Sequence, residues 1–218
     1  MAILNSIILG RAKGSIGNVT LSTQKGRVIA KQKATIVSNP KTDEQMLQRN
    51  GLSIAVYLWQ KLNVYIKEGI TITSQYGNQY NAFVSENIQR LKNLEKDKED
   101  IKSNDLQGMP ISMGKYPDPF INLKSSDKDE AILLLDKKLL SSFAKVGDKV
   151  VLIYSDLYSL DFKMITFNVS LPMLTGNESL YTIPDIVFAK KEKISFAAYV
   201  ITDNGKASST GNIRISIP

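Results

Sequence analysis

The amino-acid sequence predicts an α+β protein, with an N-terminal β-hairpin arm and two helices followed by a C-terminal immunoglobulin-like β-sandwich. Three observations predict this class. Polar and apolar residues alternate near the N-terminus, helical stripes follow, and short strand-like segments fill the chain after Gly108. The 218 residues are 43% hydrophobic and 22% charged, which is ordinary for a globular protein. A chain of this length can bury a hydrophobic core without disulfides or metals.

Residues 1–41 are predicted to form a basic β-hairpin arm. Within it, residues 18–23 and 27–31 alternate polar and apolar side chains, as half-buried strands do. The short turn between them contains Gly26, which can adopt a positive φ without steric cost. Upstream, the glycines on either side of Ser15-Ile16 suggest a bend or bulge before the hairpin, and the alternative is that they serve simple turns.

Residues 42–94 are predicted to form a helical hairpin. Thr42 and Gln45 have the spacing of a capping box, which places a helix start at this point. Apolar residues then recur at helical spacing, which predicts one helix over residues 42–67 and a second over residues 77–94.

The remaining chain is predicted to be a charged linker, residues 95–108, and a β-sandwich, residues 109–218. Asp203-Asn204-Gly205-Lys206 has the composition of a hairpin turn. One helical turn is predicted near residues 139–144. The predicted strands of the sandwich are residues 109–113, 131–135, 149–155, 162–171, 181–189, 193–202 and 212–217.

Positive charge is concentrated at the N-terminus. The first fifty residues hold eight Lys or Arg and two Asp or Glu, so they carry +6 of the net charge of +7. This pattern indicates contact with an acidic partner surface or with phosphates; the alternative is a solvated hairpin whose charges protect its strand edges from aggregation. These fifty residues contain no aromatic side chain on which a base could stack. The candidate interface residues are Arg11, Lys13, Lys25, Arg27, Lys31, Lys33, Lys41 and Arg49.

Composition removes most catalytic chemistry. The chain contains no histidine and no cysteine, which excludes histidine-dependent nucleophiles, thiolate metal sites and disulfides. Carboxylate-based chemistry, Ser-Lys dyads and oxygen-ligated Ca²⁺ or Mg²⁺ would survive. No catalytic, cofactor-binding or metal-binding residues are predicted, so the protein is expected not to be an enzyme. No apolar stretch approaches ~20 residues and no signal-peptide pattern is present, so we expect cytoplasmic synthesis in a bacterial host and no membrane partner.

The hairpin followed by Asn39-Pro40-Lys41-Thr42 has an echo in histone-like architectural DNA-binding proteins, whose β-arms carry an Asn-Pro-x-Thr run with a proline that enters the minor groove. In that family the proline lies at the arm tip. Here Pro40 lies at a helix entrance, where its fixed φ has a structural reason. An architectural nucleic-acid-binding protein that uses the basic hairpin is therefore an alternative function.

The order of motifs resembles a family of uncharacterised proteins from Bacteroidales bacteria and their phages. In that family a Gly-x-x-Gly-Asn-Val strand, a Lys-Gly turn and an Asn-Pro-Arg/Lys-Thr-x-x-Gln helix entrance precede an Asn-Ala-Phe helix and a C-terminal β-sandwich. The residues that carry the resemblance are Gly14 to Val19, Lys25-Gly26, Arg27 to Lys33, Asn39 to Gln45, Gln48-Arg49, Asn81-Ala82-Phe83 and Asp203-Asn204-Gly205. Residues 95–130 depart from it by being more charged.

The resemblance implies a context and no activity. Proteins of this kind are similar to virion components of crAss-like phages, so it implies a structural subunit of a neck or tail ring. The expected partners are other copies in a cyclic homo-oligomer and other virion proteins, with packaged DNA nearby. A further alternative is a binding module displayed on the particle surface, with sandwich loops that recognise a glycan or a protein.

Overall fold

A computed structural model describes residues 2–4, 13–34, 39–119, 121–125, 130–134, 136–170, 173–174, 180–187, 193–202 and 207–216. The chain divides into two compact units, Met1–Thr42 and Asp43–Pro218. The predicted α+β class is confirmed, because strands at the N-terminus precede two main helices and a C-terminal region of sheets.

The first unit is a four-stranded antiparallel sheet. Its order is β1-β4-β3-β2, so β1 and β2 are the two edge strands among the described residues. The predicted hairpin is confirmed as β3 and β4, joined by the two-residue turn Lys25-Gly26 with φ of 50° and 77°, the positive values of a type I′ turn. The strands are β1 (Ala2–Leu4), β2 (Gly14–Ile16), β3 (Val19–Gln24) and β4 (Arg27–Gln32).

The second unit opens with the two predicted helices, α1 (Asp43–Ile66) and α2 (Gln79–Lys92). Asn78 caps α2, since its side chain accepts a hydrogen bond of 2.8 Å from the backbone N–H of Asn81. The helices approach closely at Gly51, where an added Cβ would lie 2.6 Å from the Cγ of Lys92. Trp59 reinforces the packing, with its ring centroid 5.5 Å from that of Phe83.

The second unit also contains two short 3-10 helices and one short α-helix, α3. The 3-10 helices are Lys67–Gly69 and Ser103–Leu106, and α3 is Lys137–Ser141, close to the single helical turn that the sequence predicts.

The strands that follow form three further sheets. A three-stranded sheet has the order β10-β7-β6, a five-stranded sheet has the order β12-β11-β8-β9 with β14 also paired to β11, and β13 pairs with β5. The strands are β5 (Pro110–Ser112), β6 (Asn122–Ser125), β7 (Glu130–Leu134), β8 (Lys149–Asp156), β9 (Lys163–Asn168), β10 (Leu180–Val187), β11 (Ile194–Thr202), β12 (Ala207–Ser208), β13 (Gly211–Asn212) and β14 (Arg214–Ile215). The turn predicted at residues 203–206 lies outside the described residues, although Thr202 and Ala207 on either side of it pair antiparallel.

The five-stranded sheet is covered on both faces at its centre, and all nine residues of β11 are buried. On one face, Tyr199 belongs to the cluster that contains the apolar side of α1 and α2. On the other, Phe196 packs with Leu123 of β6 and Leu140 of α3. One face of this sheet therefore shares a core with the helices, and the other face packs in a second cluster.

Residues 95–108, for which the charge pattern predicts a linker, contribute to this core. Ile101, Ser103 and Leu106 are all buried. Lys96 and Asp105 form a salt bridge of 2.7 Å on the outside of the segment. The charged side chains face solvent while these three positions face inward, so the segment is packed against the body.

Candidate assembly interface

The arm sheet of the first unit has two chemically different faces. Opposite residues in an antiparallel pair lie on the same face, so the register assigns each position. Leu21 opposes Ala30 and Thr23 opposes Val28, which gives one largely apolar face. Thr20 opposes Lys31 and Gln24 opposes Arg27, which gives a polar, cationic face.

The cationic face gathers three of the candidate residues. Arg27 and Lys31 alternate along β4, and Lys33 continues the alternation one residue past its end, where its backbone N–H donates to the Asn18 carbonyl at 2.7 Å. At about 3.3 Å per residue, Arg27 and Lys31 are about 13 Å apart along the strand. All three side chains are exposed. The cationic face is therefore defined as Arg27, Lys31 and Lys33.

The other candidate residues are distributed more widely. Lys13 is exposed just before β2, and Lys25 is exposed in the β3–β4 turn. Lys41 is exposed ahead of α1 with a φ of 50°. Arg49 is exposed on α1 and belongs to the second unit. Arg11 lies outside the described residues.

The net charge belongs entirely to the first unit. Residues 1–42 contain seven Lys or Arg and no Asp or Glu, whereas residues 43–218 contain 21 of each, so the two units carry +7 and 0. The arm is thus a uniformly basic element next in sequence to a body that is neutral overall.

The apolar face is incompletely covered. Leu21 and Val28 are buried, but Ile16 is 71% exposed and Val19 is 41% exposed. Ile16 opposes Val19 across the β2–β3 pair, so the two side chains form one uncovered corner at the β2 edge. An exposed isoleucine on an edge strand, beside an exposed valine on the neighbouring strand, leaves an apolar edge, and such edges invite pairing with another chain.

Of the two interpretations of the glycines on either side of Ser15-Ile16, a bend or bulge was wrong and simple turn chemistry is confirmed at Gly17. Gly14–Ile16 is a strand, and Gly17-Asn18 forms a second two-residue turn that leads into β3, with a φ of 55° at Gly17. A Gly-Asn dipeptide between Ile16 and Val19 is a hairpin signal that could have revealed the strand. The arm is consequently a four-stranded sheet in place of a single hairpin.

A shallow groove of about 410 Å³ lies on the outer side of α1 in the second unit. Its apolar wall includes Leu52, which is 43% exposed, and its rim includes Arg49. The side chain of Asn50 donates to the Lys96 carbonyl at 2.9 Å, which holds the neighbouring segment against the helix. The groove is lined by Arg49, Leu52, Ser53, Val56, Tyr57, Gln60 and Lys98.

Two ionisable side chains of the second unit have shifted pKa values, and the surroundings of each explain the shift. Burial raises the pKa of the Tyr199 hydroxyl above its ordinary value, and the negative charge of Glu68 raises it further. This hydroxyl donates a hydrogen bond of 2.6 Å to the Tyr65 carbonyl. Partial burial favours a raised pKa for Asp105, but the hydrogen bonds from Lys96 and from the Lys102 backbone outweigh it and lower that pKa.

Within the described part of the chain, no group of three or more His, Cys, Asp or Glu side chains is placed to hold a metal ion. The same residues include no helix that is both long and apolar enough to cross a membrane.

Comparison with known proteins adds one finding. Residues 11–93 match the model of DUF6266, a family of unknown function. The match begins three residues before β2 and ends just after α2, so it includes three strands of the arm and both main helices. No curated protein and no solved structure matches the chain.

Proposed function

We propose that this protein is a structural subunit of a phage virion, a neck or tail ring component that assembles with its own copies through the N-terminal arm. The observation that carries the proposal is the uncovered edge of the arm sheet. Ile16 is 71% exposed on an edge strand whose outer side pairs with no other strand among the described residues. Main-chain hydrogen bonds at such an edge are a common means of joining protein chains.

The division of the chain supports the same function. The arm is a compact unit separate from the body, and it carries all of the net charge. The body contains a sheet buried on both faces, which suits a rigid building block. The resemblance of the arm motifs to proteins of Bacteroidales phages supplies the virion context.

Sedimentation of the purified full-length chain tests the assembly. We expect a species several times the 24.2 kDa monomer, and a monomer when residues 1–41 are deleted. Circular dichroism should accompany the deletion, to establish that the shortened chain is folded. A full-length chain that remains a monomer at about 100 μM, at both low and high salt, would refute the proposal.

Mass spectrometry of purified phage particles tests the virion context separately. The host culture should be one that produces this chain. Several copies per particle would support a ring component, whereas a chain that is abundant in the lysate but absent from the particles would refute it.

A second function, nucleic-acid binding by the arm, is favoured by the cationic face defined above. Three phosphate contacts predict that the logarithm of affinity falls with the logarithm of salt concentration with a slope of roughly −3. Reversal of Arg27, Lys31 and Lys33 to Glu should abolish duplex binding. The matched control is Lys115→Glu, Lys145→Glu and Lys163→Glu, three exposed body residues whose reversal changes the net charge equally.

Salt distinguishes the two functions. Arms that carry +7 each repel one another, so their association should strengthen as salt screens the charges. Binding to a nucleic acid should weaken under the same change. Retention of duplex affinity by the arm reversal variant would exclude the second function.

A further inference from the structure

We propose that the arms join head to tail, with the outer edge of β2 in one copy paired antiparallel to the outer edge of β1 in the next. A ring of copies then closes one continuous sheet made of four strands from each chain. This inference rests on the proposed function, because it names the surfaces through which the arm assembles.

Strand direction supports this pairing. Neighbours in the order β1-β4-β3-β2 are all antiparallel, so the two edge strands of the four run in opposite directions. A second copy in the same orientation therefore presents its β1 antiparallel to β2 of the first copy. If each arm had an odd number of antiparallel strands, the facing edge strands of neighbouring copies would run parallel. Repetition of one such contact is heterologous, and heterologous contacts generate rings when the rotation closes.

The two edges also match in length and in face. Each edge strand has three residues, Ala2–Leu4 and Gly14–Ile16. A full overlap places Gly14, Ser15 and Ile16 opposite positions 4, 3 and 2 of the next copy, in that order. Positions 4 and 2 are in register with Val28 and Ala30 of the apolar face. Gly14 and Ile16 are in register with Leu21 and Val19 of that face, so the pairing keeps the faces continuous.

The register sets the tilt of such a ring. Residues 2–4 of β1 pair with residues 28–30 of β4. Residues 14–16 of β2 pair with residues 19–21 of β3, which in turn pair with residues 30–32 of β4. Each copy therefore advances the register by two residues over four strands. With about 3.3 Å per residue and about 4.8 Å between strands, the strands tilt by about 19° from the ring axis. A stagger of this kind is a requirement for closing a sheet into a barrel.

The same pairing places the cationic faces of all arms on one side of the ring. Ser15 opposes Thr20, and Thr20 opposes Lys31, so the central pair of the new contact lies on the cationic side. Every arm then contributes Arg27, Lys31 and Lys33 to one side of the closed sheet. The ring then has one surface that carries these cations from every copy and one that is largely apolar.

Cysteine cross-linking tests the pairing, because the natural chain contains no cysteine. The variant with both Ile3→Cys and Ser15→Cys, treated with an oxidant or a short bifunctional maleimide, should give a ladder of covalent oligomers beyond the dimer. Either substitution alone should give none. Circular dichroism and sedimentation of the reduced variants establish that fold and assembly are intact before cross-linking.

Any other result of the cross-linking experiment would refute the pairing of β2 with β1. Dimers from Ser15→Cys alone would show that β2 pairs with β2. A ladder from Ser15→Cys with Thr166→Cys would assign the contact to β9, the uncovered edge of the five-stranded sheet. An oligomer that persists without any cross-link refutes the pairing but leaves the proposed function standing, whereas a monomeric full-length chain removes both.

A charge placed at the uncovered corner provides a second test. Ile16→Lys should weaken association at least tenfold, because the edge strand would then bring further positive charge into a contact between basic arms. The matched control is Val64→Lys on α1, since Val64 is 75% exposed and Ile16 is 71% exposed. Equal association of the two variants would contradict the proposed contact.

Discussion

Tyr199 provides a test of how the central sheet is joined to α1. Its hydroxyl donates a hydrogen bond of 2.6 Å to the Tyr65 carbonyl in the last turn of α1. Tyr199→Phe removes this donor. Removal of one partner of a buried hydrogen bond costs about 1–3 kcal/mol, so unfolding at pH 8 should become easier by about 2 kcal/mol.

The same substitution should change the alkaline stability. Because burial raises the folded-state pKa of Tyr199 above the unfolded value near 10, the unfolded chain loses this proton first as pH rises. Stability is therefore full below about pH 10 and falls above it, by about 1.4 kcal/mol at pH 11. The Tyr199→Phe variant has no hydroxyl at this position, so its stability does not fall in this way. The difference in unfolding free energy between the natural chain and the variant should therefore shrink from about 2 kcal/mol at pH 8 to about 0.6 kcal/mol at pH 11.

Urea unfolding at the two pH values measures this difference, with the fluorescence of Trp59 as the signal. Tyr158→Phe is the control, because Tyr158 is 75% exposed and its substitution should change stability by less than about 0.5 kcal/mol. If the deficit of Tyr199→Phe is the same at pH 8 and pH 11, the fold does not hold this hydroxyl in its neutral form and the reasoning is refuted.

Three further substitutions probe the turn, a close contact and the core. Gly26→Ala should reduce the stability of the arm by about 1 kcal/mol because Gly26 has a φ of 77°, and amide hydrogen exchange should show the loss in residues 19–32 with none in α1. Gly114→Ala should destabilise the body severely, since the added Cβ would lie 1.8 Å from the Ser208 carbonyl oxygen, and thermal unfolding should show it. Leu62→Ala should cost about 3 kcal/mol in urea unfolding because Leu62 is fully buried between helix and sheet; a cost below about 1 kcal/mol would contradict that packing.

The helices and the β3–β4 hairpin could be predicted from sequence because their signals are local. Thr42 with Gln45 places the start of the first helix within one residue of Asp43. Lys25-Gly26 specifies a turn that only positive φ values satisfy. Such features depend on neighbouring residues alone, so no knowledge of distant contacts is needed.

Features that depend on distant contacts were missed. Strand β6 has only four residues and gains its strand conformation by pairing with β7. The three buried residues of the segment 95–108 are separated by charged residues. Their burial therefore depends on packing against the body and on no local sequence pattern. The uncovered corner at Ile16 was missed for a different reason, because the local hairpin signal Gly17-Asn18 was not connected to the short strand before it.

The contact between Tyr65 and Tyr199 joins residues that are 134 positions apart in the chain. A ribosome that adds about 5–20 residues per second needs roughly 7 to 27 s to synthesise that interval. During this time the arm and α1 have already emerged, while the strands that cover α1 do not yet exist. Nascent chains on one polysome therefore carry the edge strands of the arm before their bodies are complete, and the repulsion between seven positive charges on every arm should oppose contact between them at that stage.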